Sequence, residues 1–363
     1  MLEEYSLSER RVKGIVQSNS MPPALFFYKN MKIAFLFNRL RVSKGDGIVS
    51  QALTWKRILE ERGNRVDLAS SWNYIDYSEY DVVQIFGKPI NLLNDVIGLE
   101  MKTKNIVIAP IFDKDPNYTF STYKFLSYLG SERLRTYNNF YALRRIRHSV
   151  KGCLVRSRYE QQVMMNVFGY SAKQCKIVML SNGTECEPFS LERENFCLHI
   201  SRLGVPGKNV KRLIEASEKY QFKLILGGML KESEKEKFDS WIKGKHYVEY
   251  FGYLSDEKKH DLCMKAKVFA LPSFIEGVGL AALEAATLGC DIVITDIGGP
   301  KEYYDGLAKT VNPKSVDEIG QAVRFFLDGN TFQPILSEHV ITNYSDKKVA
   351  ENLESVYKDI VSG

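Results

Sequence analysis

Residues 268–286 read Val268-Phe-Ala-Leu271-Pro-Ser-Phe-Ile-Glu276-Gly277-Val278-Gly279-Leu280-Ala-Ala-Leu-Glu284-Ala-Ala286. The four apolar residues 268–271 predict a short buried strand. Pro272 and Ser273 end it, a loop carrying two glycines follows, and the alanine-rich run predicts a helix over 278–288. A strand, a glycine-bearing loop and a helix make one βα unit. A chain of such units builds a parallel sheet.

The same unit recurs on both sides. Upstream, a strand at 196–201 runs into Arg202-Leu-Gly-Val-Pro-Gly-Lys208, then a helix at 209–220. A strand at 222–226 ends in Gly227-Gly228. Helices at 232–243 and 255–265 bracket a strand at 247–251, and a further strand falls at 291–294. Nearer the N-terminus, Met31–Phe37 predicts a buried parallel strand. The loop Arg41–Gly47 and a helix from Ile48 to Arg62 follow, and Gly63 stops that helix. Strands at 65–69, 81–86 and 105–109 continue the alternation. Residues 120–147 read as one long basic, aromatic helical segment, after which strands at 153–155 and 175–179 flank a helix at 158–168. In the last helix, 346–360, Val349, Leu353, Val356 and Ile360 repeat at helical spacing, so one face packs on something.

The pattern predicts an α/β chain of two doubly wound domains facing across a cleft. Residues 1–30 form an N-terminal extension. Residues 31–188 with 345–363 form the first domain, and 189–344 the second. Length agrees: 363 residues at roughly 150 per domain is about two domains. With 44% hydrophobic and 26% charged residues, the chain buries a sizeable core, which excludes disorder as its main state. The longest run free of Asp, Glu, Lys and Arg, Gly14–Tyr28, is too short and polar to span a bilayer. Nothing at the N-terminus reads as a signal peptide, so the expected location is the cytoplasm. The six cysteines, at 153, 175, 186, 197, 263 and 290, show no CxxC spacing and read as small buried residues rather than metal ligands.

In open parallel sheets, ligands bind beyond the carboxyl ends of the strands. The chemistry is therefore expected in the loops. Gly277 and Gly279 let a ligand approach the backbone, and the helix that follows offers unpaired N–H groups to a phosphate. A carboxylate accepts two hydrogen bonds and can hold a vicinal diol, so Glu276 and Glu284, straddling an anion site, suit a nucleotide sugar. Arg202 and Lys208 supply fixed cations for the negative charge that develops on a departing diphosphate.

These residues resemble the donor motif of the retaining glycosyltransferases of family 4, the group 1 glycosyltransferases with the GT-B fold: Glu, seven residues, Glu, within a Glu-Gly-x-Gly-Leu context, followed here by Gly298-Gly-Pro-Lys-Glu302. The resemblance covers about 31–363. It implies an N-terminal acceptor-binding domain, a C-terminal nucleotide-sugar-binding domain and a last helix that crosses back. It gives catalytic roles to Glu276, Arg202 and Lys208, with Glu276 on the sugar hydroxyls. Glu284 falls to the ribose. Gly277, Val278, Gly279 and Leu280 line the donor site, with Gly45 and Gly47 over the phosphates and Gly227 and Tyr253 near the base. The family's usual His after the fourth strand is missing from Val107–Asp115, and Asp113 is the candidate there on the acceptor side.

The function implied is metal-independent, retaining transfer of a hexose or deoxyhexose from a nucleotide diphosphate sugar, with no cofactor, to a hydroxyl of a glycan or lipid-linked acceptor in polysaccharide biosynthesis. The alternative is an inactive nucleotide-binding or assembly protein on the same fold. The net charge of +6 is concentrated in residues 118–151. Seven Lys or Arg face one Glu there, interleaved with Tyr118, Tyr123, Phe125, Tyr128, Tyr137, Phe140 and Tyr141. Such a segment reads either as a helical face that covers the core with its aromatics and leaves Arg in water, or as a surface for an anionic membrane or lipid-linked acceptor, ahead of nucleic acid; the second would add a peripheral place at the inner face of the membrane to the cytoplasmic expectation.

Overall fold

The computed structural model describes residues 30–37, 47–69, 75–110, 119–134, 136–184 and 189–363. Gly45 and Asp113 lie outside them. Residues 31–363 form one unit built on two parallel sheets.

The N-terminal sheet uses β1 (Lys32–Phe37), β2 (Arg65–Ala69), β3 (Val82–Gly87) and β4 (Ile106–Pro110). A separate antiparallel hairpin, β5 (Gly130–Ser131) and β6 (Thr136–Tyr137), precedes β7 (Gly152–Val155) and β8 (Cys175–Ile177). The sheet order is β2-β1-β3-β4-β7-β8. Its strands β3 and β4 are buried along their whole length, as expected where helices cover both faces. Those helices are α1 (Gly47–Glu60), α2 (Pro89–Leu99), α3 (Phe120–Leu126), α4 (Asn139–Ile146) and α5 (Arg158–Val163).

The C-terminal sheet takes β9 (Glu194–Ile200), β10 (Leu224–Gly227), β11 (Val248–Tyr250), β12 (Ala266–Leu271), β13 (Asp291–Thr295) and β14 (Lys309–Val311). Its order is β11-β10-β9-β12-β13-β14. The chain therefore winds outward from β9 in one direction and resumes at β12 in the other, which puts the topological switch point between β9 and β12. Helices α6 (Val210–Tyr220), α7 (Glu232–Ile242), α8 (Asp256–Lys265), α9 (Leu280–Thr287), α10 (Val316–Leu327) and α11 (Ile335–Tyr344) connect and cover it.

The last helix, α12 (Asp346–Ser362), returns to the N-terminal sheet. Its Asp346 pairs with Arg57 on α1. Glu354 accepts from Asn64 Nδ2 at 2.6 Å and Arg62 Nη2 at 3.1 Å. The Tyr357 hydroxyl donates to Gln84 in the middle of β3. Val349, Leu353, Val356 and Ile360 are all buried, so the apolar spacing found its core.

The long helix expected over 120–147 is two short ones with a hairpin between. The physical cause is capping. Thr119 caps α3 through Thr122 N at 3.2 Å, and Asn138 caps α4 through Phe140 N and Tyr141 N, both at 2.9 Å. Between them Gly130 lies flat against the Tyr141 ring, where a Cβ would collide. Helix α9 also starts later than expected. Gly279 takes φ of +81°, a left-handed turn that ends the loop and leaves Leu280 as the first helical residue.

Candidate active site

The switch point is where β9 and β12 release their loops, and the two loops are tied together. Phe274 N donates to Gly207 O at 2.8 Å. Asn209, buried and with φ of +59°, donates from Nδ2 to Pro272 O at 2.9 Å and to Pro313 O at 2.7 Å. That lock fixes Lys208 beside the β12 loop. Lys208 Nζ stands 2.6 Å from Glu276 Oε2, and Ser273 Oγ reaches the same oxygen at 3.3 Å. The Glu276 side chain is only 12% exposed, and that ammonium is its counter-charge. Arg202, one residue beyond the β9 strand end and its Ser201, is exposed. Among the described residues it makes no ion pair.

Beneath this pair lies His199, fully buried on β9. Its Nδ1 is 2.7 Å from Ala270 O, and its Nε2 is 2.7 Å from Ser201 Oγ. A carbonyl only accepts, so Nδ1 carries the proton and Nε2 accepts from the Ser201 hydroxyl. Burial holds the imidazole down to about 4, with the Lys208 charge pushing the same way and the Ala270 bond opposing. A neutral His199 thus rivets β9 to β12 directly under the cationic loop. Its sequence offered one signal, a polar residue within an apolar strand, and that signal does not distinguish a rivet from a chance His.

Glu284 sits on α9, facing Lys259 of α8, with Nζ 2.9 Å from Oε2. Burial lowers the Lys259 ammonium, but the charge and hydrogen bond of Glu284 outweigh it and raise it above its usual value. Gly183, between the two sheets in sequence, comes within van der Waals reach of Glu284 Oε1. No side chain caps α9; Ala282 N and Leu283 N donate to Gly279 O at 2.8 and 3.2 Å, which leaves the Leu280 and Ala281 amides for a ligand at the helix start. Val278 turns its side chain into the core, which leaves its backbone to the cleft. Leu280 is half-buried.

At the ends of β10 and β11, Gly228 N donates to Gly252 O at 2.8 Å. Gly228 has φ of +134°, and a Cβ there would collide with Ser201 O, so this crossing of backbones requires glycine. Gly227 packs against Leu254 in the same way. Met229, Phe251 and Tyr253 are all exposed beside them, Tyr253 at 70%. That apolar shelf at the strand ends includes Met229, which side-chain type alone did not single out. Gly47 is the first residue of α1.

The N-terminal half meets this site across the cleft. Arg156 follows β7, and its guanidinium lies over Gly277, where a Cβ would stand 2.6 Å from Nη1. Glu160 holds that guanidinium in place, with Oε1 2.9 Å from Nε. Glu302 accepts from Arg158 N at 2.7 Å and Tyr159 N at 2.8 Å, capping α5 from the other half of the molecule. The Tyr303 hydroxyl donates to Arg156 O at 2.8 Å and accepts from Leu180 N at 3.1 Å. Arg156 over Gly277, Glu302 on Arg158 and Tyr303 on Leu180 were not anticipated, because each of these contacts spans more than a hundred residues. Among the described residues, no three His, Cys, Asp or Glu side chains converge as a metal would need. No helix among them is long and apolar enough to cross a membrane.

Residues 186–348 match the family model for glycosyl transferases group 1. Over 213 residues the chain is 25% identical to the O-antigen chain mannosyltransferase B of Escherichia coli, covering 52% of this chain and 54% of the relative. The chain spans about half the length of the curated relatives it matches. Two solved structures share its fold. One is Anabaena HepE in complex with UDP and glucose, with a TM-score of 0.68 at 14% identity, covering 91% of this chain and 100% of that one. The other is sucrose-phosphate synthase from Thermosynechococcus elongatus, with a TM-score of 0.70 at 13% identity, covering 92% and 100%. The expected resemblance to the group 1 glycosyl transferases is met over residues 186–348, and the chain has the GT-B fold.

Proposed function

We propose that this protein transfers a sugar from a nucleotide diphosphate sugar to a hydroxyl of a glycan or lipid-linked acceptor, with retention of anomeric configuration. One observation carries the reading. At the switch point of the C-terminal sheet, the Lys208–Glu276 pair and the uncapped start of α9 flank one glycine-bearing loop, and Arg202, which makes no ion pair among the described residues, follows β9 in the same βα unit as Lys208. A diphosphate entering there meets two cations and a helix N-terminus, which stabilise the charge that grows as the glycosidic bond breaks. Lys208 released from Glu276 turns to the phosphate, and Glu276 turns to the sugar hydroxyls. Glu284 takes the ribose, and the shelf of Met229, Phe251 and Tyr253 takes the base. In this reading Arg202, Lys208 and α9 do the neutralising work that a metal does elsewhere, so turnover persists in a chelator. Retention follows from attack on the face the diphosphate leaves, with the leaving phosphate as base. The relatives named for O-antigen synthesis favour a surface-glycan acceptor.

The test is thermal stabilisation by a panel of UDP, GDP, ADP and dTDP sugars, on wild type and Arg202→Ala. A ligand at 100 times its Kd adds about 2.7 kcal/mol. One nucleotide sugar should stabilise wild type and lose most of that effect in the variant. A folded protein that responds to none of them returns the chain to the inactive assembly reading.

The basic segment supports an acceptor side at a membrane surface. Phe125, Tyr128, Leu129 and Leu134 are exposed, Leu134 at 71%, among Lys124, Arg133, Arg144 and Arg145. The Arg144 guanidinium stacks 3.8 Å over the Tyr128 ring. A cationic surface with apolar residues standing out of it suits the anionic inner face of a membrane. Vesicles of phosphatidylglycerol should bind the protein, and pure phosphatidylcholine should not. Replacing Phe125 and Leu134 by Ser should weaken binding at any salt, whereas 0.5 M salt should weaken the charge contribution alone. Equal binding to both vesicles would remove the membrane from the reading.

A further inference from the structure

Three glycines mark the line where the start of α5 meets the C-terminal half. A Cβ on Gly299 would stand 2.5 Å from Ser157 Oγ and 3.5 Å from Gly277 O. One on Gly298 would stand 3.7 Å from Glu276 O and 3.9 Å from Tyr159 Cε1. One on Gly277 would meet a single guanidinium, with Arg156 Nη1 at 2.6 Å and its Cζ and Nη2 both at 2.9 Å. Gly277 does not take a positive φ, so its backbone would accept any residue and the obstacle is steric alone. That guanidinium has little freedom to yield. The Arg156 side chain is only 11% exposed. Glu160 accepts from its Nε at 2.9 Å, from its Nη2, and from its backbone N–H at 2.7 Å. The Tyr303 hydroxyl donates to its carbonyl at 2.8 Å. An arginine pinned at its amide, its carbonyl and its planar fork is a fixed wall, and Gly277 lies against it.

We propose that Arg156 is a positioning residue of the donor loop: held by Glu160, it seats the Glu276–Gly277 peptide from the N-terminal half, and the glycine at 277 makes room for this side chain rather than for a ligand. This rests on the donor-site reading above and adds to it the part that sets the loop. In that reading Glu276 takes the sugar hydroxyls, and Gly277 joins it to the start of α9. Packed against Gly298, Gly299 and Arg156 together, the peptide between them has one place to lie. The donor site is then complete only while the two halves are joined along this line. Arg156 acts through the loop and touches no substrate. Its loss therefore shows in how well the sugar is held, since a small misplacement of a positioning group costs much of its effect. The diphosphate keeps its own anchors in Arg202, Lys208 and the start of α9.

The experiment is a double-mutant cycle between Gly277→Ala and a background without the guanidinium. That background is Arg156→Ala with Glu160→Gln, so that no buried carboxylate is left without its cation. Each protein is titrated calorimetrically with UDP-glucose, GDP-mannose, ADP-glucose and dTDP-glucose and with the four bare nucleoside diphosphates. For the nucleotide sugar that wild type binds, Gly277→Ala alone should lose roughly tenfold in affinity, and so should the background alone. Adding Gly277→Ala to the background should change affinity by less than about twofold, because the wall it would strike is gone. The matching bare diphosphate should bind every protein in the cycle within about twofold. An equal cost of Gly277→Ala in the two backgrounds gives the glycine to the ligand and overturns the proposal while leaving the donor site standing. No cost in wild type, or an equal loss for sugar and diphosphate as a merely structural arginine would produce, overturns it in the same way. Should the background fail to fold, Arg156→Lys takes its place. It keeps a charge beside Glu160 but lacks the fork, and the same expectations hold. Wild type that binds none of the eight compounds overturns the donor site and this role with it.

Discussion

Lys208 and Glu276 are each other's counter-charge, and the proposed function gives them separate tasks. Their two contributions can be pulled apart. Lys208→Ala leaves a carboxylate that is mostly out of water without its cation, and should destabilise the protein by roughly 1–3 kcal/mol. Adding Glu276→Gln removes the stranded charge and should restore most of that loss. Neither variant should recover turnover, which should fall by about 10²- to 10³-fold. Urea midpoints and initial rates on the two variants decide it. A single variant as stable as wild type would mean that the pair seen at 2.6 Å contributes nothing.

At the level of elements, α5 is held at its start by a carboxylate from the opposite half of the molecule. Glu302 accepts from two of its first amides, as an N-terminal cap and as a negative charge on the helix dipole. Ser157 adds a cap from within, accepting from Glu160 N at 3.1 Å. Glu302→Ala should therefore lower stability by about 1–2 kcal/mol. It should also loosen the seam that Tyr303 and Arg156 share with it, raising hydrogen exchange at Arg158 and Tyr159 first. An unchanged exchange rate at those two amides would show that the cap is supplied elsewhere. The same logic of caps explains why residues 120–147 break into two helices. Thr119 and Asn138 each claim a helix start, and local capping outweighs a composition that reads as one helix.

For the whole molecule, His199 gives stability a pH dependence. Its folded-state pKa, about 4, lies below its ordinary 6.5. The unfolded chain therefore binds the proton first as pH falls, and the stability that the neutral ring contributes is complete above 6.5 and lost between 6.5 and 4. The shift corresponds to roughly 3 kcal/mol. Carboxylates add to the same slope, so the informative quantity is a difference. His199→Gln should flatten the decline of the urea midpoint between pH 6.5 and 4 relative to wild type. A parallel decline in both proteins would place the proton elsewhere.

The order of strands and helices was legible in the sequence because apolar runs of strand length, glycine-bearing loops and helical periodicity are local properties. The candidate loops were legible for the same reason: Glu276, Gly277, Gly279 and Glu284 lie within one βα unit, and Arg202 and Lys208 within another. That α12 returns to the first sheet was carried by its apolar spacing together with the family resemblance. Other features could not be read locally. Lys208 meets Glu276 across 68 residues, His199 meets Ala270 across 71, and Glu302 caps Arg158 across 144. Sequence order carries no distance for such pairs; the pairing of β9 with β12 brings the first two within hydrogen-bonding range, and the meeting of the two halves of the molecule brings the third. The sequence by itself determined which chemistry is available and on which loops it sits. The tertiary structure decided which charges neutralise one another and which helix is capped from the far side, because those depend on through-space distance in a low-dielectric interior.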